Sequence, residues 1–285
     1  MKKFYIGALA GVASLALVAC SDSATPVEGT KDKSDTKLVE VFNKAMERQE
    51  SLESLTAKMV MDQTITITED GEKVDMTSSS NFDMSITTDP VAIYLDGKMS
   101  MTMADESDSL DLPLKMYYTE ADGFFMYDSE SWLKLPSDLY EEMIGQTGAS
   151  VDATEQLEQL KPFLNDFTFK QDDNAYILTL NAKGDKFNDL ILGQLEDSLD
   201  LESLGEEDLD SFEDIEFDNA TYVITIDKKT FDITKIVMNF DMVMDIEGTD
   251  TKISTVSTVN YSDFNKATAI TIPKDVIENA IESEF

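Results

Sequence analysis

Residues 55–86 read LTAKMVMDQTITITEDGEKVDMTSSSNFDMSI, and this stretch decides the fold. Asp70-Gly71 divides it, and an Asp-Gly pair between alternating apolar residues is a strong signal for a two-residue hairpin loop. Such a loop pairs residues whose numbers sum to 141. Met59 then faces Phe82, Ile65 faces Met76, and Ile67 faces Val74. Apolar meets apolar along one face of the whole hairpin, as a half-buried antiparallel sheet requires.

Working outward, a second turn placed at Thr88-Asp89 pairs residues summing to 177. It sets Ile86 opposite Val91, Met84 opposite Ile93, Phe82 opposite Leu95 and Met76 opposite Met101. Asp96-Gly97 offers another reversal, but a tight turn there would put Leu95 and Met99 on opposite faces. One continuous strand from Val91 to Met103 keeps its apolar residues on one side, with Gly97 opposite Ser80 inside the sheet. Shorter strands are expected near residues 112–119, 123–127, 167–170 and 176–181. The 3.6-residue period predicts helices near 38–52, 137–145, 153–164 and 186–199, the first capped by Ser34, Asp35 or Thr36. Long strands return after Tyr222. Phe231 and Ile233 keep odd register while Ile236 to Ile246 keep even register, which predicts a bulge near Thr234-Lys235. A last turn at Thr249-Asp250 sets Ile246 opposite Ile253 and Met238 opposite Tyr261.

The composition narrows the chemistry. The 285 residues include 58 acidic, 22 basic, one Cys and no His, for a formal charge of −36. Without histidine there is no Ser-His-Asp triad, no Cys-His dyad and no imidazole metal ligand. A single cysteine makes no internal disulfide and no thiolate zinc site. The charge repels phosphate backbones, so nucleic acid is not an expected partner. Carboxylates are too numerous for any pair to stand out, and no GxGxxG, P-loop or GxSxG motif occurs. Ser78-Ser79-Ser80 has no accompanying base and reads as alternate faces of a strand. No catalytic residue, metal or cofactor is expected. The acidic run at 197–218 reads as a solvated face, with a cation or partner site as the alternative.

Met1-Lys2-Lys3 precedes an apolar run from Phe4 to Val18, which is the layout of a secretory signal and too short for a comfortable transmembrane helix. Leu17, Val18, Ala19 and Cys20 resemble a bacterial lipobox, and the resemblance implies a diacylglyceryl group on Cys20 after removal of residues 1–19. Two acyl chains anchor far better than one. Residues 20–35 then form a polar tether, and residues 36–285 a single domain. The expected place is the extracytoplasmic face of the cell membrane, with the bilayer as partner.

Methionine is the unusual feature. Fourteen remain after Met1, and most fall on predicted strands although Met is no strand former. Two uses fit: packing on the helices as core, or lining a cavity for an apolar ligand, which a flexible thioether chain suits. Met-x-Met pairs put two sulfurs on one face, but no His or Cys helps them hold Cu(I). The candidate apolar face comprises Met59, Ile65, Val74, Met76, Phe82, Met84, Leu95, Met101, Phe240 and Met242.

The lipobox at Leu17–Cys20, the amphipathic helix at Leu38–Leu52 and the long Met-rich strands resemble bacterial lipoproteins of the LolA/LolB and LppX/LprG-like superfamily. The closer resemblance is to the uncharacterised Met-rich lipoproteins of Gram-positive bacteria that share that architecture. It implies an α+β fold, a strongly curved antiparallel β-sheet or half-barrel wrapped over helices. It also implies lipid or lipopeptide handling between sheet and helices. The first expectation is a non-enzymatic, lipid-anchored binding protein. The alternative is a structural or regulatory envelope module that acts through its acidic surface and has no ligand cavity.

Overall fold

The computed structural model describes residues 23–27, 36–69, 71–103, 109–136, 153–182, 216–246 and 249–283. The signal segment, Cys20 and the helices expected at 137–145 and 186–199 lie outside these residues, as does the acidic run up to residue 215.

The described residues build one large, curved, unclosed sheet. In chain order its strands are β1 (Thr25–Pro26), β2 (Ser54–Glu69), β3 (Glu72–Thr88), β4 (Val91–Met103), β5 (Leu110–Thr119), β6 (Gly123–Tyr127) and β7 (Trp132–Leu135). They continue as β8 (Phe167–Gln171), β9 (Ala175–Ala182), β10 (Glu216–Asp227), β11 (Ile233–Ile246), β12 (Thr249–Ser262) and β13 (Ile281–Glu282). Across the sheet the order is β1-β8-β9-β10-β11-β12-β2-β3-β4-β5-β6-β7-β13. Every pairing is antiparallel except the two-residue outermost pairs, β1 with β8 and β13 with β7. Residues 23–27 belong to the expected tether, yet Thr25 and Pro26 lie along the sheet and Ala24 is buried.

Helices are a minor part of the described structure. Helix α1 (Leu38–Glu50) buries Val41, Phe42, Ala45 and Met46, its apolar stripe, against β8–β11. Its N-cap is Lys37, with no capping side chain, so neither Ser34, Asp35 nor Thr36 fills that place. Helix α2 (Ala153–Leu160) runs into a 3₁₀ turn at Lys161–Asp166, where Pro162 cannot continue an α-helical bond pattern. Leu157, Leu160 and Phe163 join the α1 cluster. Helix α3 (Lys274–Asn279) sits at the other end, where Val276 packs with Ile272 and Phe125. Among the described residues, a sheet wrapped over helices therefore describes the β8–β11 end alone.

The Asp70-Gly71 hairpin has the expected register, with Ile67 opposite Val74 and Met59 opposite Phe82, and Gly71 holds φ at +83°. The β3–β4 register differs by two residues. Ile86 faces Ile93, Met84 faces Leu95 and Phe82 faces Gly97. The reversal sits at Asp89-Pro90 and not at Thr88-Asp89, since Pro90 has no N–H to give a ladder. The continuous β4 is present. The register break opposite Thr225 and Ile226 puts the bulge at Thr234. The β11–β12 register differs by four, with Ile246 facing Thr249 and Met238 facing Ser257. Thr249 is β-branched and extends the strand, leaving Glu247-Gly248, outside the described residues, to join the two.

Candidate ligand-binding face

Residues directly opposite in an antiparallel pair share a face, so the registers assemble rows across the sheet. One row runs Met238, Ser257, Met61, Ser80, Met99, Leu112. The next runs Phe240, Thr255, Gln63, Ser78, Met101, Leu110. A third runs Met242, Ile253, Ile65, Met76, Met103. These rows lie on the face that carries α1, here called the inner face. Although the chain holds 58 acidic and 22 basic residues, no charged residue falls in these three rows.

All ten candidate residues lie on this inner face, but in three settings. Phe82 is buried, 5% exposed, and belongs to the packed interior. Met59, Ile65, Met76, Met84, Leu95, Met101, Phe240 and Met242 are half-buried. Val74 is 56% exposed. Phe240 and Met242 pack against the α1 cluster, Met59 and Met84 against the cluster of Leu52, Leu55, Ala57 and Val259, and Leu95 against the cluster of Ile93, Met116 and Phe124. Met76, Met99 and Met101 belong to none of these three clusters.

Toward the Asp70-Gly71 end the face becomes open. Ile67, Val74, Met103, Leu110 and Leu112 are all exposed large apolar side chains of this one face. Of these only Val74 stands among the candidates from sequence. Alternation marks the other four equally well.

Sequence reasoning also missed the polar floor of the face. Ser78, Ser80, Thr255 and Ser257 are 7%, 1%, 4% and 4% exposed, as buried as the core. Gln63 donates from Nε2 to Thr255 Oγ1 at 3.3 Å. The Ser80 hydroxyl, set between Met61 and Met99, is buried without a hydrogen-bond partner. The signal was present, because the 141 register already placed Ser78 and Ser80 on the apolar side. Burial pushes the phenols of Tyr222 and Tyr261 up to about 12, so both stay neutral hydroxyls.

An open depression of about 510 Å³ lies on the opposite, outer face, lined by Asn81, Asp83, Tyr94, Asp96, Gly97 and Lys98. Its charges are balanced locally: Lys58 meets Asp83 at 2.7 Å and Lys115 meets Asp96 at 3.0 Å. Tyr94 donates to Asp96 at 3.0 Å and stacks on Tyr117 with centroids 4.6 Å apart. Burial, then the bond to Asp96, pushes the Tyr94 phenol up. Open and on the outer face, away from the helices, this depression is not the cavity expected between sheet and helices.

Among the described residues, no helix is long and apolar enough to cross a membrane. No group of three or more His, Cys, Asp or Glu able to hold a metal ion occurs among them.

No curated protein matches the chain. Of solved structures, one described as showing lipid–protein interactions in lipovitellin has a TM-score of 0.38 at 9% identity, over 78% of this chain and 26% of that one. The chain thus spans about a quarter of that lipovitellin chain. A DUF1329 family protein from Desulfovibrio piger has a TM-score of 0.19 at 9% identity, over 82% of this chain and 95% of that one. A beta-barrel-like protein of DUF1849 from Brucella abortus has a TM-score of 0.18 at 10% identity, over 75% of this chain and all of that one. Residues 37–281 match the model of a family of unknown function, DUF6612, and the chain belongs to that family.

Proposed function

We propose that this protein is a non-enzymatic, lipid-anchored binding protein of the extracytoplasmic membrane face, and that it holds an apolar, lipid-like ligand against the inner face of its sheet. The observation that carries the reading is the open run of Ile67, Val74, Met103, Leu110 and Leu112, continuous with the half-buried methionine rows. Soluble proteins rarely expose such contiguous apolar surface unless something binds there. Thioether chains adapt to irregular apolar partners, which suits a ligand of variable shape. The anchor is the diacylglyceryl group that Leu17–Cys20 would receive. Holding or handing over a ligand at the membrane surface then fits better than shuttling between membranes.

Two experiments test this. The wild-type protein should bind diphenylhexatriene, a hydrocarbon fluorophore, saturably, with a fluorescence rise that Met101→Ala weakens. Cys20→Ala should abolish incorporation of a labelled fatty acid in a bacterial host. A second reading, an envelope module with no apolar ligand, draws support from the outer-face position of the depression. It becomes the better account if the fluorophore does not saturate.

A further inference from the structure

The floor of the inner face is neutral and polar where an all-hydrocarbon ligand would need neither property. Ser257 and Ser80 alternate with Met238, Met61 and Met99 across five strands, and Thr255, Gln63 and Ser78 form the adjoining row. Apolar rows border this belt, with Ile253, Ile65 and Met76 on one side and Val259, Met59 and Phe82 on the other. No ammonium or guanidinium in these rows could neutralise a carboxylate or phosphate. Ser80 is 1% exposed, and its hydroxyl has no partner, sulfur acceptors included. A buried hydroxyl without a partner carries a desolvation cost that an incoming acceptor relieves.

We infer that the ligand is a neutral acyl ester, of the acylglycerol class, whose ester carbonyl accepts a hydrogen bond from Ser80 while its chain lies over the methionine rows toward Val74 and Leu110. This rests on the lipid-binding reading above and deepens it. Met61 and Met99 flank Ser80 directly on the neighbouring strands. Each side chain has three rotatable bonds, enough to swing aside and admit the carbonyl. The belt sits partway along the face, so a carbonyl held at Ser80 would mark where the acyl chain that runs toward Val74 and Leu110 begins.

The test displaces diphenylhexatriene from the purified protein with either monolauroylglycerol or dodecane. The wild type should release the fluorophore at about ten-fold lower monolauroylglycerol concentration, the effect of one good hydrogen bond to a buried donor. Ser80→Ala should lose that preference while still binding the fluorophore and melting no lower than wild type, since it breaks no bond of the free protein. Ser79→Ala, on the exposed outer side, should keep the preference. Equal potency of the two displacers, or a preference that survives Ser80→Ala, overturns the ester assignment alone. Failure of the fluorophore to bind saturably overturns the lipid-binding reading and this inference with it.

Discussion

Phe82 lies directly opposite Gly97, and a methyl placed on Gly97 would come 2.5 Å from the Phe82 Cδ1 atom and closer still to the Asn81 carbonyl oxygen. The second contact is with main chain and cannot swing aside. Gly97→Ala should therefore lower stability by about 1–3 kcal/mol, the range for overpacking. Phe82→Ala should not rescue it, because the closer clash with Asn81 remains. Thermal melts of the two single variants and the double variant check this. Gly71→Ala has open space around its new methyl and should cost about 1 kcal/mol through its positive φ alone.

Arg48 Nε donates to Asp232 Oδ1 at 2.6 Å, tying α1 to the β10–β11 turn. The Asp232 side chain is 9% exposed, so removing its cation leaves a buried carboxylate without its ion-pair partner. Arg48→Ala should cost about 3 kcal/mol. The double variant Arg48→Ala/Asp232→Ala should cost clearly less than the two singles together, by about 1 kcal/mol or more. Urea unfolding of the four proteins gives the coupling.

Phe82 and Met101 separate core from candidate site on the same face. Phe82→Ala empties a packed position and should cost about 3–5 kcal/mol. Met101 and Met242 are half-buried, and truncating either should cost about 1 kcal/mol while weakening fluorophore binding. Paired measurements of unfolding and binding decide. A loss of several kcal/mol for Met101→Ala without any change in binding would place Met101 in the core.

Asp241 gives a pH-dependent contribution. The Ser254 hydroxyl opposite it, then the Asn219 amide at 3.1 Å, hold its carboxyl below the usual carboxylate range, and Lys252 at 3.6 Å adds to this. A folded-state pKa below the unfolded one stabilises above the unfolded value, and the contribution is lost as pH falls through the folded value. Ser254→Ala should thus be less stable than wild type by about 1 kcal/mol near neutrality. The gap should narrow below pH 3.8, the unperturbed value. Denaturant midpoints of both proteins at neutral and acid pH test the sign.

Faces were far more legible in the sequence than partners. Alternation put Met84, Leu95, Met101 and Met242 on one side, and errors of two or four residues in register leave that assignment intact because the side-chain period is two. Partners are sensitive to the same errors. With the turn at Asp89-Pro90, Gly97 meets Phe82 and not Ser80, which makes Gly97 a close-packed position. The pairing of Thr25 with Lys170 joins residues far apart in sequence and leaves no local pattern. Parity put Ser78 and Ser80 on the inner face and Ser79 on the outer, but the unpartnered state of the Ser80 hydroxyl is set by packing and leaves no mark in the sequence.

The two outermost strands bear on self-association. Among the described residues the sheet ends in a short strand on each flank, and open sheet flanks in general recruit strands from other molecules. Here Thr25–Pro26 covers part of one flank and Ile281–Glu282 part of the other. Each stopper is two residues long, one contains a proline that cannot donate, and each runs parallel to the strand it covers. Val27 and Ser283 donate one further bond each, to Gln171 and Lys134, at 2.9 and 3.0 Å. Peeling away either stopper would leave β8 or β7 as a longer template for a strand from another molecule.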